Sequence, residues 1–228
     1  MIFITGDTHG NIDINKLNTR KFPEQKNLSK SDFVIIAGDF GLIWEASNES
    51  KYWIKWLSEK NFTTLFIDGN HENFDLLNLY PIIQWNGGNV HQITDSIIHL
   101  MRGQVFVINH LKFFTFSGAK SYDKEFRKEG ISWWKEEIPS EEEYHEGLRN
   151  LEFNNWEVDY IVTHTCPVEI QDILNKRFNM DLEVTELNSY LTKINTKTKY
   201  KHWYFGHNHL DEDLTDKHTI LYNKISRI

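Results

Sequence analysis

A chain of 228 residues that is 39% hydrophobic, with eight Trp and fifteen Phe, can bury a sizeable core, and 25% charged residues place it among globular rather than disordered chains. Its formal net charge of -8 excludes a broad electrostatic footprint for duplex nucleic acid, and its one cysteine, Cys166, excludes an intrachain disulfide. No apolar run approaches the length of a membrane span, and Met1-Ile2-Phe3 lacks a signal peptide's basic region, so a cytoplasmic protein of one domain over 1–228 is expected.

The chain opens on a β-branched and aromatic run, Ile2–Thr5, which reads as a buried strand and empties into Gly6-Asp7-Thr8-His9-Gly10-Asn11. Residues 12–20 read as a short helix and 21–31 as a polar loop. A second apolar strand, Phe33–Ala37, ends in Gly38-Asp39-Phe40-Gly41, and residues 44–60 then place Trp53, Trp56 and Leu57 on one helical face. The third strand, Thr63–Ile67, closes on Asp68-Gly69-Asn70-His71-Glu72. This recurrence of strand, loop and helix predicts parallel βαβ units and an α/β fold.

From Trp85 the pattern shortens, and segments 97–101, 105–108 and 113–116 between Gly-containing turns read as antiparallel. Residues 117–144 are the least regular stretch, carrying Lys120, Asp123, Arg127, Trp133 and Trp134. They read as a lid or insertion, or else as a solvated excursion anchored by its tryptophans. Pro139-Ser140-Glu141-Glu142-Glu143 reads as a helix start with an acidic first turn. A further strand, Tyr160–Thr163, runs into His164-Thr165-Cys166-Pro167; residues 168–194 are helical with a break near Asn179, and 195–201 read as a basic loop. The last clear strand, 203–205, precedes Gly206-His207-Asn208-His209.

Five loops after strands thus deliver Asp7, His9, Asp39, Asn70, His71, His164, His207 and His209 to one edge of a sheet, the edge where open α/β sheets bind ligands. Each motif alone is weak; together they form a constellation. The other six histidines, His91, His99, His110, His145, His202 and His218, lack that placement and read as structural. Carboxylate, imidazole and amide oxygen suit zinc, iron, manganese or nickel better than calcium, and so many candidate ligands fit two ions rather than one.

The order Asp-x-His, Gly-Asp, Gly-Asn-His-Glu, a lone His and Gly-His-x-His resembles the calcineurin-like metallophosphoesterases, from Asp7 to His209. The resemblance implies a four-layer α/β/β/α sandwich of two mixed β-sheets flanked by helices. It implies one ion held by Asp7, His9, Asp39 and His209, and a second held by Asp39 as the bridge with Asn70, His164 and His207. By the same resemblance His71 binds neither ion; it faces the substrate and either protonates the leaving oxygen or steadies the phosphoryl charge. The activity implied is phosphoric ester hydrolysis, as a phosphodiesterase or phosphatase, through a hydroxide bridging two divalent transition-metal ions (Mn, Fe, Zn or Ni), with manganese favoured.

One departure matters: many members carry an Asp three residues after the bridging one, where it orients the catalytic His, and here that position is Leu42, leaving Glu45 or Glu72 as the nearest alternatives. Arg127, in a segment also similar to bacterial and phage members, is a candidate substrate clamp. Cys166 reads as structural, because His164 is claimed by the metal and cannot activate it. The expected substrate is a small phosphoester, nucleotide or phosphoprotein. A nuclease gripping a backbone with Lys193 to Lys201 is less favoured by the acidic charge, and a non-catalytic scaffold has no need of a full ligand set.

Overall fold

The computed structural model describes all residues, 1–228. Thirteen strands form two sheets: β1 Ile2–Thr5, β2 Phe33–Ala37, β3 Thr63–Ile67, β4 Ile82–Trp85, β5 Gly88–Thr94, β6 Ile97–Leu100, β7 Gln104–Ile108, β8 Leu111–Phe116, β9 Tyr160–Thr163, β10 His202–Phe205, β11 Glu212–Asp213, β12 His218–Ile220 and β13 Ile225–Arg227. The seven-stranded sheet runs β13-β1-β2-β3-β6-β5-β4 and the six-stranded sheet β11-β12-β10-β9-β8-β7. Both are mixed: β1, β2, β3 and β6 are parallel neighbours, as are β8, β9, β10 and β12, with antiparallel strands at the margins.

Alternation along each strand builds the layers, since successive side chains point to opposite faces. Ile2, Ile4, Ile35, Ala37, Leu65 and Ile67 pack against Phe106, Ile108, Phe113 and Val162 between the sheets. Phe3, Val34, Ile36 and Phe66 turn outward under α1 (Asn48–Ser58) and α2 (Phe74–Leu77), with Leu57 and Leu77 as the helical contribution. On the other side Phe114, Phe116, Ile161, Trp203 and Phe205 are covered by α3 (Glu141–Phe153), α4 (Val168–Phe178) and α5 (Glu186–Lys197). Each fully buried Leu, Ile or Phe stabilises this sandwich by about 1.5–3 kcal/mol. The four layers agree with the architecture expected from the sequence.

Several local expectations are corrected. The 12–20 helix is only a 3₁₀ turn at Ile14–Leu17, the 21–31 loop holds another at Pro23–Asn27, and the 44–60 helix begins at Asn48, where Ser47 accepts from Ser50 N at 3.1 Å. β4 is an edge strand with exposed isoleucines and too little burial to announce itself. β6 and β8 are antiparallel on one side and parallel on the other, because the chain crosses between sheets after β6. The 195–201 loop is helical through Lys197, while the break near Asn179 is real: its φ of 52° closes α4 in a left-handed cap. Ser140 and Glu143 form a capping box on α3, as the acidic start suggested. No helix is long and apolar enough to cross a membrane.

Candidate metal centre

The loops after β1, β2 and β3 carry Asp7, His9, Asp39, Asn70 and His71; those after β9 and β10 carry His164, His207 and His209. The eight residues therefore converge from two facing sheets, not from one edge as expected, because the parallel core of each sheet ends its strands toward the same cleft. His9, Asp39, His207 and His209 have φ of 42°, 46°, 73° and 52°, a left-handed backbone that costs about 1–3 kcal/mol at a non-glycine residue. Four ligand-type side chains are thus held where relaxed strand ends would not put them. Gly69 and Gly206 make room for the carboxylates: a Cβ at either would collide with Asp39 Oδ1 or Asp7 Oδ1.

Two triads have their ligand atoms within 4.8 Å of one another, Asp7 with His9 and His209, and Asp7 with Asp39 and His164. Asp39 looks both ways: its Oδ2 lies 3.3 Å from His9 Nε2 and its Oδ1 3.3 Å from His164 Nε2. His209 Nε2 lies 3.3 Å from Asp7 Oδ2, and the His207 ring stands 5.0 Å from that of His164. Asn70 Oδ1 is 3.1 Å from His164 Nε2.

The donor set itself tests whether a metal fits. His164 Nδ1 is 3.0 Å from the Ala37 carbonyl, which can only accept, so Nδ1 carries the proton and Nε2 presents a lone pair. That lone pair points at two more acceptors, Asp39 Oδ1 and Asn70 Oδ1, all buried. His9 repeats the arrangement, with Nδ1 held 2.9 Å from Asp13 Oδ2 and Nε2 turned to Asp39. Acceptors converging on acceptors need a cation among them. Burial alone would push His164 down, but Asp39 and then Asp7 outweigh it and raise it to about 10, so a proton answers the need in part. Burial would raise Asp39, yet His164 and His9 hold it well below the usual carboxylate range. Burial and the neighbouring His164 push His207 down to about 4, leaving it neutral and free to ligate. A metal cation fits this set.

Groups without a motif orient the ligands. Asn70 Nδ2 donates to Ser121 Oγ at 3.0 Å, and Ser121 Oγ donates to the buried Glu137 at 2.7 Å, which turns the amide oxygen toward His164. Lys16 is buried beneath the first loop, donating to Asp7 O at 2.5 Å and to Tyr222 O; burial lowers it to about 8, while Asp7 pulls the other way. Tyr222 stacks on His209 at 4.6 Å. Sequence reasoning missed Asp13, Lys16, Ser121, Glu137 and Tyr222; only Asp13, four residues after His9, lay close enough to be found.

Neither expected substitute for the orienting carboxylate serves. Leu42 packs into the core, Glu45 is exposed, and Glu72 accepts from Phe40 N at 2.6 Å and Gly41 N at 3.1 Å, capping the Asp39 turn. Burial, with Asp39 nearby, raises Glu72 well above its ordinary value. His71 N donates to Asp39 Oδ1 at 2.8 Å and its Nδ1 lies 3.0 Å from Arg127 Nη1. Burial first, with Arg127 contributing, lowers His71, although Asp39 opposes both. Cys166 is buried and its thiol is pushed up by burial, which agrees with a structural role. Among the remaining histidines, His91 and His99 form a buried pair with Asp68, and His218 meets Tyr200.

The cleft over these residues has a volume of about 460 Å³ and includes Tyr122, Asp123, Arg127, Met180, Asp181 and Leu182 in its walls. The family model described as calcineurin-like phosphoesterase matches residues 1–211. No curated protein matches the chain.

Proposed function

The chain belongs to the calcineurin-like phosphoesterase family, and on that premise we propose that it is a phosphoric ester hydrolase with two divalent transition-metal ions, preferring a small phosphodiester. The observation that carries this reading is the pair of imidazole lone pairs, from His9 and His164, turned onto the two oxygens of Asp39. Asp7, His9, Asp39 and His209 would hold one ion, and Asp39, Asn70, His164 and His207 the other. When bound, such ions lower the pKa of water toward ~7 and offset the charge of the phosphoryl oxygens. Manganese is the favoured metal, with iron, zinc and nickel as alternatives for a mixed nitrogen and oxygen set.

The chain's own residues prepare the site for this chemistry. Asp13 and the Ala37 carbonyl hold His9 and His164 with Nε2 free, and Ser121 holds the Asn70 amide with its oxygen inward. His71 stands in the cleft wall beside Asp39, within reach of a phosphoryl group held there. Preference for a diester rests on charge: Asp123 and Asp181 flank the cleft, and its one cationic side chain, Arg127, is already paired with Asp123. A dianionic monoester or a polyanion would find little positive charge beyond the metals. Two of the lysines weighed for a nucleic-acid backbone, Lys199 and Lys201, lend no support either, since they pair with Glu157 and Asp159 near the starts of β9 and β10, away from the cleft. A cytoplasmic setting accords with the lone, buried Cys166.

The test is hydrolysis of bis-p-nitrophenyl phosphate, p-nitrophenyl phosphate, cyclic nucleotides and single-stranded DNA with manganese, nickel or zinc, alongside metal analysis. The expected result is manganese-dependent cleavage of the diester, weaker cleavage of the monoester, two ions per active chain, and loss of both metal and activity on chelation. Activity that survives chelation, or one ion in fully active protein, overturns the reading.

A further inference from the structure

The contact between His71 and Arg127 has a chemical sense that neither residue has alone. A guanidinium offers five N–H donors, has no acceptor and stays charged in proteins. With Arg127 Nη1 at 3.0 Å from His71 Nδ1, the arginine must donate and the imidazole must accept. An accepting Nδ1 carries no proton, so the ring's single proton sits on Nε2.

Arg127 is itself held in place. Its Nε donates to Asp123 Oδ2 at 2.8 Å, its Nη2 stands 2.7 Å from the same oxygen as an ion pair, and its Nη1 also reaches the Ser132 carbonyl at 3.2 Å. One N–H on Nε and two on Nη1 make three of the five donors engaged, and the remaining two, on Nη2, face the Asp123 carboxylate. A bidentate grip on a phosphate would require breaking this arrangement.

We propose that Arg127, fixed by Asp123 and the Ser132 carbonyl, is a positioning residue that holds His71 as the Nε2–H tautomer, so that His71 gives the substrate a hydrogen bond and not a proton. Resting on the hydrolase reading, this assigns His71 to charge stabilisation on the phosphoryl group. A carboxylate at Nδ1 would accept a proton's hydrogen bond and allow the ring to carry a second proton for the leaving oxygen. A guanidinium there excludes it, because two donors would face each other. Leu42, packed in the core, brings no carboxylate to the ring, and Arg127 is the partner that His71 Nδ1 has instead.

The test has one arm that needs no turnover. In protein labelled with ¹⁵N-histidine and kept metal-free, His71 Nδ1 is expected to resonate as a lone-pair nitrogen and Nε2 as a protonated one. Arg127→Ala should mix the two tautomers and Arg127→Lys should restore the Nε2–H form in part. A protonated Nδ1 in the wild type overturns the proposal whether or not the protein hydrolyses anything, so its failure is distinct from that of the hydrolase reading. In the kinetic arm, His71→Ala should lower kcat on aryl and alkyl esters by the same factor, about 10² to 10³ as for loss of one preorganised donor. Arg127→Ala should lower kcat with KM little changed, and Arg127→Lys should recover part of it. A His71→Ala loss confined to basic alcohol leaving groups, with both metals retained, restores the acid role and overturns the proposal.

Discussion

The strand-end loops and the 117–144 segment both reach the cleft, but they contribute different things. The loops carry every candidate ligand, on backbone held at positive φ in His9, Asp39, His207 and His209 by the sheets beneath. Before α3 begins at Glu141, the 117–144 segment has no regular structure beyond two 3₁₀ turns and a single bridge, and it carries none of the candidate ligands, yet Ser121, Glu137 and Arg127 decide how Asn70 and His71 point. It is fastened by buried side chains: Arg102 bonds Asp68 and the Glu136 carbonyl, and Trp134 Nε1 donates to Asp75 at 2.7 Å. Donor identity and donor orientation therefore come from separate regions of the chain, and damage to each should look different.

The largest effect should come from the loops. Asp39→Asn keeps an oxygen for the His71 amide but removes the charge facing both His9 and His164, so we expect activity at background, metal content below two ions and a near-native circular dichroism spectrum. A fully active, fully metallated Asn variant would erase the distinction between the regions. In the 117–144 segment, Ser121→Ala frees the Asn70 amide to turn, and the expected loss is about 10- to 100-fold in metal affinity, read by titration, without collapse of the fold. An unchanged affinity would make the segment mere packing.

Acid should separate the two regions without mutation. Although burial favours the neutral form, Arg102 and His99 hold Asp68 well below its ordinary value, so its contribution is complete above the unfolded pKa near 4 and is lost as pH falls through the depressed folded value. The loss, of order 2 kcal/mol, should appear first as faster amide exchange across 117–144, while β1, β2 and β3 stay protected. Exchange rising equally in both regions, or an Asp68→Asn variant with the same acid profile, would break the comparison. The smallest effect is expected at Tyr222, whose ring lies on His209: an aromatic pair of about 0.5–1.5 kcal/mol predicts a 2- to 10-fold weakening of metal binding in Tyr222→Ala. A larger loss, approaching that of Asp39→Asn, would mark Tyr222 as part of the donor scaffold itself.

The parallel strand cores and the eight residues Asp7, His9, Asp39, Asn70, His71, His164, His207 and His209 were legible in the local sequence pattern, whereas the four-layer architecture was implied by the family resemblance of the motifs. Each ligand-type residue follows its strand by a few positions, and apolar runs broken by glycine mark strand ends locally. Tertiary structure alone decided which of these strand ends belongs to which sheet, since the crossover after β6 leaves no periodic signal. It also decided the partners: Ser121 meets Asn70 across 51 residues, Arg127 meets His71 across 56, and Asp7 accepts from the His207 amide across 200. Hydrogen bonds between distant segments depend on how layers pack, not on the spacing of residues along the chain. The physical reason is one of range: local pattern determines which groups arrive at a strand end, whereas their direction is set by neighbours that only folding brings within about 3 Å.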